Sequence, residues 1–438
     1  MLISGRTQLD VLLRAQAEIR GAGSSVPTAR SYETKLAQVW ARAVTTRAYH
    51  GIGAFRPEAF AALPLTRREQ LKADPWSYVA VPWARTVKYY ETTGTSGRVT
   101  PTPRTVEDVV WNAVVVAEAW RCVLRDSDRV AVLLPSDIVP VADLVVSVCE
   151  YLGLSHTRLY PFTTGITDYD RVIGLWRTLR PTVVFMAPGV MLQLTRLLKQ
   201  RGELAALSES VRTVMLLGEV STEVLRGRLG EWWQAAVHDA SYGSTETGTL
   251  AATCDAARLH LLTTTNLFEL ARADGTVGAL QDGGKGRLVV TPLNLHARPL
   301  LRFDTGDEVE LSTGCACGDQ APTVVIRGRS ADALTVRDRS LNARAVEEVV
   351  YSAAHTTGYL IETDTSGGWA RLLLERDAST DRNSEPNEID AVQQLSATQL
   401  GLRWDSVSFV NTLPHTTKAG GAQKSWKRSN IRILDAVS

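Results

Sequence analysis

The spacing of apolar residues changes along the chain, and each change marks a different kind of element. Val110, Val114, Ala117 and Trp120 recur at helical intervals. Thr105-Val-Glu-Asp108 ahead of them reads as an N-cap followed by an acidic third position. Residues 129–135 form a short apolar run closed by proline, and 182–187 form another, closed by Pro188-Gly189. Stretches 211–217 and 233–240 read as further strands, with helical patterns over 168–180 and 189–201. Continuous apolar strands alternating with amphipathic helices predict an α/β protein with a parallel sheet covered on both faces. Ligands of such sheets sit beyond the strand C-termini, which draws attention to Gly218-Glu219 and Tyr242-Gly-Ser-Thr-Glu246.

From about residue 258 the pattern shortens to extended pieces with turns, such as 286–291, and a boundary falls near Gly328-Arg329-Ser330. The expected organisation is a large N-terminal domain, 1–328, with parallel sheets flanked by helices, and a small mobile α+β C-terminal domain, 329–438. Residues 1–21 read as a helix with a charged face, 377–386 as a polar surface loop, and 416–428 as a Gly- and Lys-rich segment that is mobile until a ligand binds.

Composition narrows the class. The 438 residues carry 48 basic and 47 acidic side chains, a formal net charge of +1, which offers no electrostatic footprint for nucleic acid or an anionic membrane. No apolar run reaches the length that spans a bilayer, and the first 21 residues lack an apolar signal core. The expectation is a cytoplasmic protein, monomeric or homodimeric. Five cysteines without a signal argue against a disulfide framework. Cys122 and Cys149 read as core thiols.

Four segments could carry chemistry. Tyr90-Glu91-Thr92-Thr93-Gly94-Thr95-Ser96-Gly97-Arg98 places two glycines, four Ser/Thr hydroxyls and a cation in nine residues, a loop able to wrap a polyphosphate. It lacks the spacing of a Walker P-loop. In Tyr242-Gly243-Ser244-Thr245-Glu246 the ring can stack on a purine, Thr245 can donate to phosphate and Glu246 can hold Mg²⁺. Asp307, after Thr305-Gly306, can accept from both hydroxyls of a ribose. Gly328-Arg329-Ser330-Ala331-Asp332 suits a hinge. Taken singly, each is equally compatible with an ordinary turn.

In this order the four segments resemble the adenylate-forming superfamily of acyl- and aryl-CoA synthetases, most closely its phenylacetate–CoA ligase branch, from about Thr92 to the C-terminus. The resemblance implies that Thr92, Thr93, Gly94, Thr95, Ser96 and Gly97 embrace the ATP phosphates, and that Gly218, Glu219, Tyr242 and Gly243 line the adenine. It further implies that Thr245 touches the α-phosphate, Glu246 ligates Mg²⁺, Asp307 binds the ribose, Arg329 lies near the ribose and Asp332 serves the hinge. A carboxylic acid would attack the α-phosphate to give an acyl-adenylate and pyrophosphate. After rotation of the small domain, the thiol of CoA would displace AMP. The lysine that assists adenylation is Lys418 or Lys424, in an irregular Pro414–Lys424 segment.

Three departures from the family pattern stand out. The phosphate loop ends Arg98-Val99 in place of Lys-Pro, and the first hinge aspartate is Ala331. The family's Arg-Gly-Val-Asn turn is Arg337-Asp338-Arg339-Ser340, so Asp338 stands where a glycine lets pantetheine pass. The alternatives are therefore another acceptor, such as a carrier-protein thiol or an amine, or another acid, such as nitrite activated towards an aryl amine. Cys254, His260, Cys315 and Cys317 together suit a closed, structural Zn²⁺ site, and similar pieces flank this region in the branch. Eleven tryptophans suggest a flat aromatic acid, bound between the end of the 132–137 strand, Pro188-Gly189 and the Tyr242 loop.

Overall fold

The computed structural model describes residues 5–23, 25–92, 99–219, 221–280, 284–328, 334–414 and 430–434. Thr93, Gly94, Thr95, Ser96, Gly97, Arg98, Arg329, Asp332, Lys418 and Lys424 therefore lie outside the described residues, as does the 416–428 segment. The chain divides into two compact units, one of Met1–Val130, Pro135–His156 and Asp239–Arg327, the other of Ala131–Leu134, Thr157–His238 and Gly328–Ser438.

The first unit is organised on a nine-stranded sheet. Its strands run Val277–Ala279, Asn266–Ala271, Lys285–Pro292, Phe303–Ser312, Thr323–Gly328, Leu259–Leu261, Gly248–Thr253 and Ser241–Ser244, and Thr66–Arg67 pairs in parallel with Phe303–Ser312. The other recorded pairings in it are antiparallel. The short extended pieces read after residue 258 thus build a sheet of their own kind. Along Phe303–Ser312 burial alternates, with Phe303, Thr305, Asp307, Val309 and Leu311 buried, so one face of the strand meets the core. That core includes Trp40, Phe60, Leu71, Leu250, Phe268 and Val290.

The helix Val106–Trp120 starts as its sequence predicts. Thr105 Oγ1 accepts from the Asp108 N–H and Asp108 Oδ2 accepts from the Thr105 N–H at 2.8 Å. The same carboxylate accepts from the backbone of His296 (2.5 Å) and Ala297 (3.2 Å), tying the helix start to a distant loop.

A five-stranded sheet has the order Ser155–Arg158, Arg129–Leu133, Val183–Met186, Thr213–Leu216, Ala236–Asp239, and Val183–Met186 pairs in parallel with Thr213–Leu216. Both of those strands are wholly buried. In the second unit the helices Tyr169–Leu179, Pro188–Arg201 and Glu223–Trp233 accompany it. The 233–240 stretch is not all strand: the helix runs to Trp233, Gln234 reverses the chain at φ 50°, and the strand begins at Ala236. Trp233 is fully buried, donating to Thr195 Oγ1 at 2.8 Å, and Trp176 donates to the Leu207 carbonyl at 3.0 Å. These tryptophans, with Trp40 and Trp120, are core residues, which accounts for part of the aromatic content without any ligand.

The C-terminal part of the second unit carries a four-stranded sheet ordered Ser406–Val410, Ala370–Arg376, Thr356–Asp364, Ile431–Leu434, with helices Ala343–Ala353 and Glu385–Gln399 and a hairpin of Leu334–Val336 and Arg339–Leu341. The polar 377–386 stretch departs from a simple surface loop. Asp377 is buried and ion-paired with Lys199, and the helix starts at Glu385 with Pro386 in its first turn. Burial pushes Asp377 up, but Lys199 and the Ser379 N–H outweigh it and hold the carboxyl below its usual range. Cys149 is buried as expected, whereas Cys122 is exposed. Among the described residues no helix is long and apolar enough to cross a membrane.

Asp108→Ala would leave three backbone donors without their acceptor. We expect a loss of about 3 kcal/mol, read as a lower denaturant midpoint at unchanged m-value.

Candidate active site

The hairpin Lys88–Glu91/Pro101–Arg104 presents the Thr- and Gly-rich loop. Its neck is closed twice between Thr92 and Thr100: Thr92 Oγ1 accepts from the Thr100 N–H at 2.9 Å, and the Thr92 N–H donates to the Thr100 carbonyl at 3.3 Å.

Behind this neck lies a buried cluster of charge. Glu246 is almost completely enclosed, and its Oε1 accepts from Arg68 Nη2 at 3.1 Å and Nε at 3.4 Å. Arg68 is delivered by strand Thr66–Arg67, which pairs with Phe303 and Asp304. Arg104 is buried and donates to the carbonyls of Thr245 (2.7 Å) and Glu246 (3.2 Å), fixing the turn from the backbone side. Arg298, wholly buried, donates to the Pro101 carbonyl at 2.5 Å and to Thr102 Oγ1 at 3.0 Å. Burial, and then the like charge of Arg104, bring its guanidinium down to about 9. Burial pushes Glu246 up, yet Arg68 and Arg298 outweigh it and hold the carboxyl below its usual range. Arg104 Nη1, Arg298 Nε and the Thr100 hydroxyl are buried without a hydrogen-bond partner among the described residues. Three guanidiniums face the two carboxylates Glu246 and Asp108, so the cluster carries net positive charge and unused donors.

The ribose-type motif is a bulge. The register between Lys285–Pro292 and Phe303–Ser312 shifts around Thr305-Gly306-Asp307, with Gly306 at φ 71°. Asp304 Oδ1 accepts from the Gly306 N–H at 3.0 Å, and Thr305 Oγ1 from the Asp307 N–H at 3.1 Å. A bulge of this kind re-aims the side chain that follows it. Asp307 Oδ2 accepts from the Tyr242 hydroxyl at 2.6 Å, so two motifs 65 residues apart meet. Gly243 has no room for a side chain, because a Cβ there would lie 2.3 Å from the Gly248 carbonyl oxygen. Arg302, which opens this motif, is structural: it pairs with Glu269 and donates to the carbonyls of Ala61 and Leu63.

Gly218 and Glu219 lie in the second unit. Gly218 has φ 88°, and Glu219 Oε2 accepts from the Gly189 N–H at 3.2 Å, at the start of helix Pro188–Arg201.

Cys254, His260, Cys315 and Cys317 form one cluster, with ligand atoms all within 4.8 Å of one another. The Cys254 and Cys315 sulfurs are 3.9 Å apart, and Cys317 Sγ is 3.3 Å from His260 Nε2. His260 Nδ1 lies 2.8 Å from the Ala321 carbonyl, which fixes its proton there and turns Nε2 towards the thiols. Cys315-Ala-Cys317-Gly318 turns tightly: the Gly318 N–H donates to the Cys315 carbonyl at 3.1 Å and Gly318 has φ 84°.

Sequence reasoning missed Arg68, Arg104 and Arg298. Arg298 left a signal, a cation set among Leu295, Ala297, Leu300 and Leu301, where an unpaired charge is rarely buried. Arg68 and Arg104 left none, since their burial arises from strand pairing.

No family model matches the chain. The fold is that of the CoA ligases that form acyl-adenylates: 2-hydroxyisobutyryl-CoA ligase, solved in its postadenylation state with 2-HIB-AMP, aligns with a TM-score of 0.73 at 18% identity over 98% of this chain and 89% of its own. Among curated proteins the chain is similar to phenylacetate–coenzyme A ligases. That of Aromatoleum evansii is 25% identical over 362 residues, 80% of this chain and 78% of its own length. That of Pseudomonas putida is 26% identical over 298 residues, 67% and 66% respectively. The resemblance read from the motifs and the α/β fold expected from it are both borne out.

Below pH 9 the Arg298 charge opposes folding, because the folded state holds that proton less tightly than the unfolded chain. This cost is present at neutral pH and fades as pH rises past 9. The wild type should therefore gain stability as pH rises past 9 and Arg298→Met should not, which denaturant titration on either side of that pH would read.

Proposed function

We propose that this protein is an AMP-forming acid–thiol ligase. It adenylates a carboxylic acid, best an aromatic one, with ATP, releases pyrophosphate, and passes the acyl group to CoA. The observation that carries the reading is the contact between Tyr242 and Asp307 in the same unit as a buried, net-positive cluster with donors unpartnered among the described residues. An aromatic face, a ribose acceptor and an oxyanion-seeking cluster in one unit fit a nucleotide with its phosphates. The similarity to phenylacetate–CoA ligases supports the acid and thiol classes.

In this reading Tyr242 stacks on the adenine while its hydroxyl keeps Asp307 turned to the ribose. Gly243, which tolerates no side chain against the Gly248 carbonyl, lets the strand that carries Tyr242 pair closely with its neighbour. Gly218 and Glu219 complete the adenine side. Thr92, Thr93, Gly94, Thr95, Ser96 and Gly97 surround the phosphates, and Thr245, whose backbone Arg104 clamps, donates to the α-phosphate. Glu246, held as an ionised carboxylate by Arg68 and Arg298, is an oxygen donor of the kind a hard cation takes. Mg²⁺ bound there would neutralise phosphate charge during attack by the acid. Arg329, Asp332, and Lys418 or Lys424 act from the C-terminal domain, 329–438. Preorganised positive charge of this kind is what phosphoryl and nucleotidyl transfer chiefly requires.

The Cys₃His cluster fits a structural Zn²⁺. A tetrahedron with Zn–S near about 2.3 Å has sulfurs about 3.8 Å apart, close to the separation of Cys254 and Cys315. Four protein ligands leave no open position, so the ion would brace the ends of interior strands and not catalyse.

A second acceptor is favoured by one observation. Arg337 and Asp338 both adopt left-handed backbone at the tip of a two-residue turn, and Asp338 is exposed there. A carboxylate at this point would favour an amine or another acceptor over the pantetheine arm.

ATP–pyrophosphate exchange with a panel of aryl acids tests adenylation. We expect exchange in the wild type and a loss of roughly 100-fold in Glu246→Gln, within the range for removing one electrostatic stabiliser. Exchange with nitrite alone would overturn the acid assignment, and AMP release without CoA consumption would overturn the acceptor. Metal analysis should find one zinc per chain, and a chelator should lower the thermal midpoint, more readily as pH falls because the thiols must lose their protons to bind. Purified protein free of metal would remove the zinc site.

A further inference from the structure

The segment that holds both candidate lysines emerges from a root at Asn411–Leu413, and three consecutive residues of strand Ala370–Arg376 and its end grip that root or its support. Glu375 is 2% exposed. Its Oε2 is ion-paired with Arg196 Nη1, on helix Pro188–Arg201, at 2.5 Å, and its Oε1 accepts from the Leu413 N–H at 3.4 Å. Arg376 Nη1 donates to Asn411 Oδ1 at 2.9 Å, while its other nitrogens hold Glu385 at 2.6 and 3.0 Å. Asp377 pairs with Lys199, one turn beyond Arg196 on the same helix, and Lys199 also sits 4.3 Å from the centre of the Trp232 ring.

Beside these contacts lies a cavity of about 310 Å³, lined by Arg196, Lys199, Arg376, Arg382, Phe409 and Asn411 among others. The root is therefore held by polar contacts at the edge of a cavity. Gly358 adds a steric condition. A Cβ there would lie 3.1 Å from Glu375 Oε2 and 3.2 Å from Leu413 Cδ1, so a larger residue would press on both and shift them by a few tenths of an ångström.

We infer that Glu375 is a positioning residue for adenylation: bridging Arg196 and the Leu413 N–H, it fixes the backbone at Leu413, from which the chain runs on to both lysines. This rests on the ligase reading above, in which Lys418 or Lys424 assists attack on the α-phosphate. A buried carboxylate between a cation and a backbone donor is satisfied in one geometry, and loss of either partner leaves an uncompensated charge. A side chain that must meet transition-state oxygens is sensitive to displacements of about 1 Å. Glu375 touches no reacting atom and acts only through the segment.

The test uses the full chain with Glu375→Gln, Arg196→Met, their double variant, and Gly358→Ala, which wedges the same contact without altering a charge. Hydrogen–deuterium exchange should show faster uptake in the peptide spanning 409–414, with the nine-stranded sheet unchanged. In pyrophosphate exchange kcat should fall about 10-fold or more, with the KM for ATP within about twofold of wild type. The double variant should be no worse than the worse single one, because both residues serve one contact. Unchanged uptake at 409–414 overturns the grip. Uptake that rises throughout the chain, with kcat and KM falling together, also overturns it by reducing Glu375 to a stability role. Faster uptake at 409–414 in a protein whose wild type exchanges no acid refutes the ligase reading and with it the positioning role, while leaving the contact itself established.

Discussion

A carboxylate buried as completely as Glu246 has to be matched by positive charge, and much of the first unit is arranged to supply it. Arg68 comes from a two-residue strand that pairs with the start of Phe303–Ser312. Arg104 comes from the hairpin below the phosphate-type loop, and Arg298 from the segment leading into the same long strand. Three chain segments far apart in sequence thus converge on one acid. An isolated buried charge would cost far more than any single contact returns. The cluster therefore tolerates few alternative arrangements, and the loop neck, the Thr245–Glu246 turn and the Asp307 strand are held in register by it.

The cluster overcompensates. Three guanidiniums against two carboxylates leave a positive excess, and three buried donors have no partner among the described residues. An arrangement tuned only for stability would balance its charges or replace them with apolar side chains. The proposed function gives the excess a use, the receipt of an anion, and assigns recognition of the nucleoside to Tyr242 and Asp307, which are hydrogen-bonded to each other. Stability and function pull in opposite directions at this point, as they do at many preorganised sites.

Local rules made several elements legible from the residues alone. Thr105 and Asp108 cap their helix as the spacing requires, because capping depends on atoms three residues apart. Pro188-Gly189 ends one strand and opens a helix, and the apolar runs 129–135 and 182–187 are buried strands. Where the reading failed, tertiary contacts had intervened. Trp233, read as the start of a strand, instead ends a helix, with its indole held by Thr195 and Trp176 in the core. Asp377 looked like a surface acid and is buried because Lys199 meets it. Tryptophans that suggested an aromatic pocket prove in part to be packing.

The motifs in order determined the class of fold and the set of residues worth examining, because glycine-rich turns, capped helices and closely spaced cysteines are statements about neighbours in the chain. Only the tertiary structure decided that Tyr242 bonds Asp307, that His260 faces three thiols, and that Arg68, Arg104 and Arg298 surround Glu246. Each of these depends on sheet register and a bulge that bring distant segments within a few ångströms. Burial then sets the charge balance, and no pattern along the sequence encodes the distance between side chains that far apart.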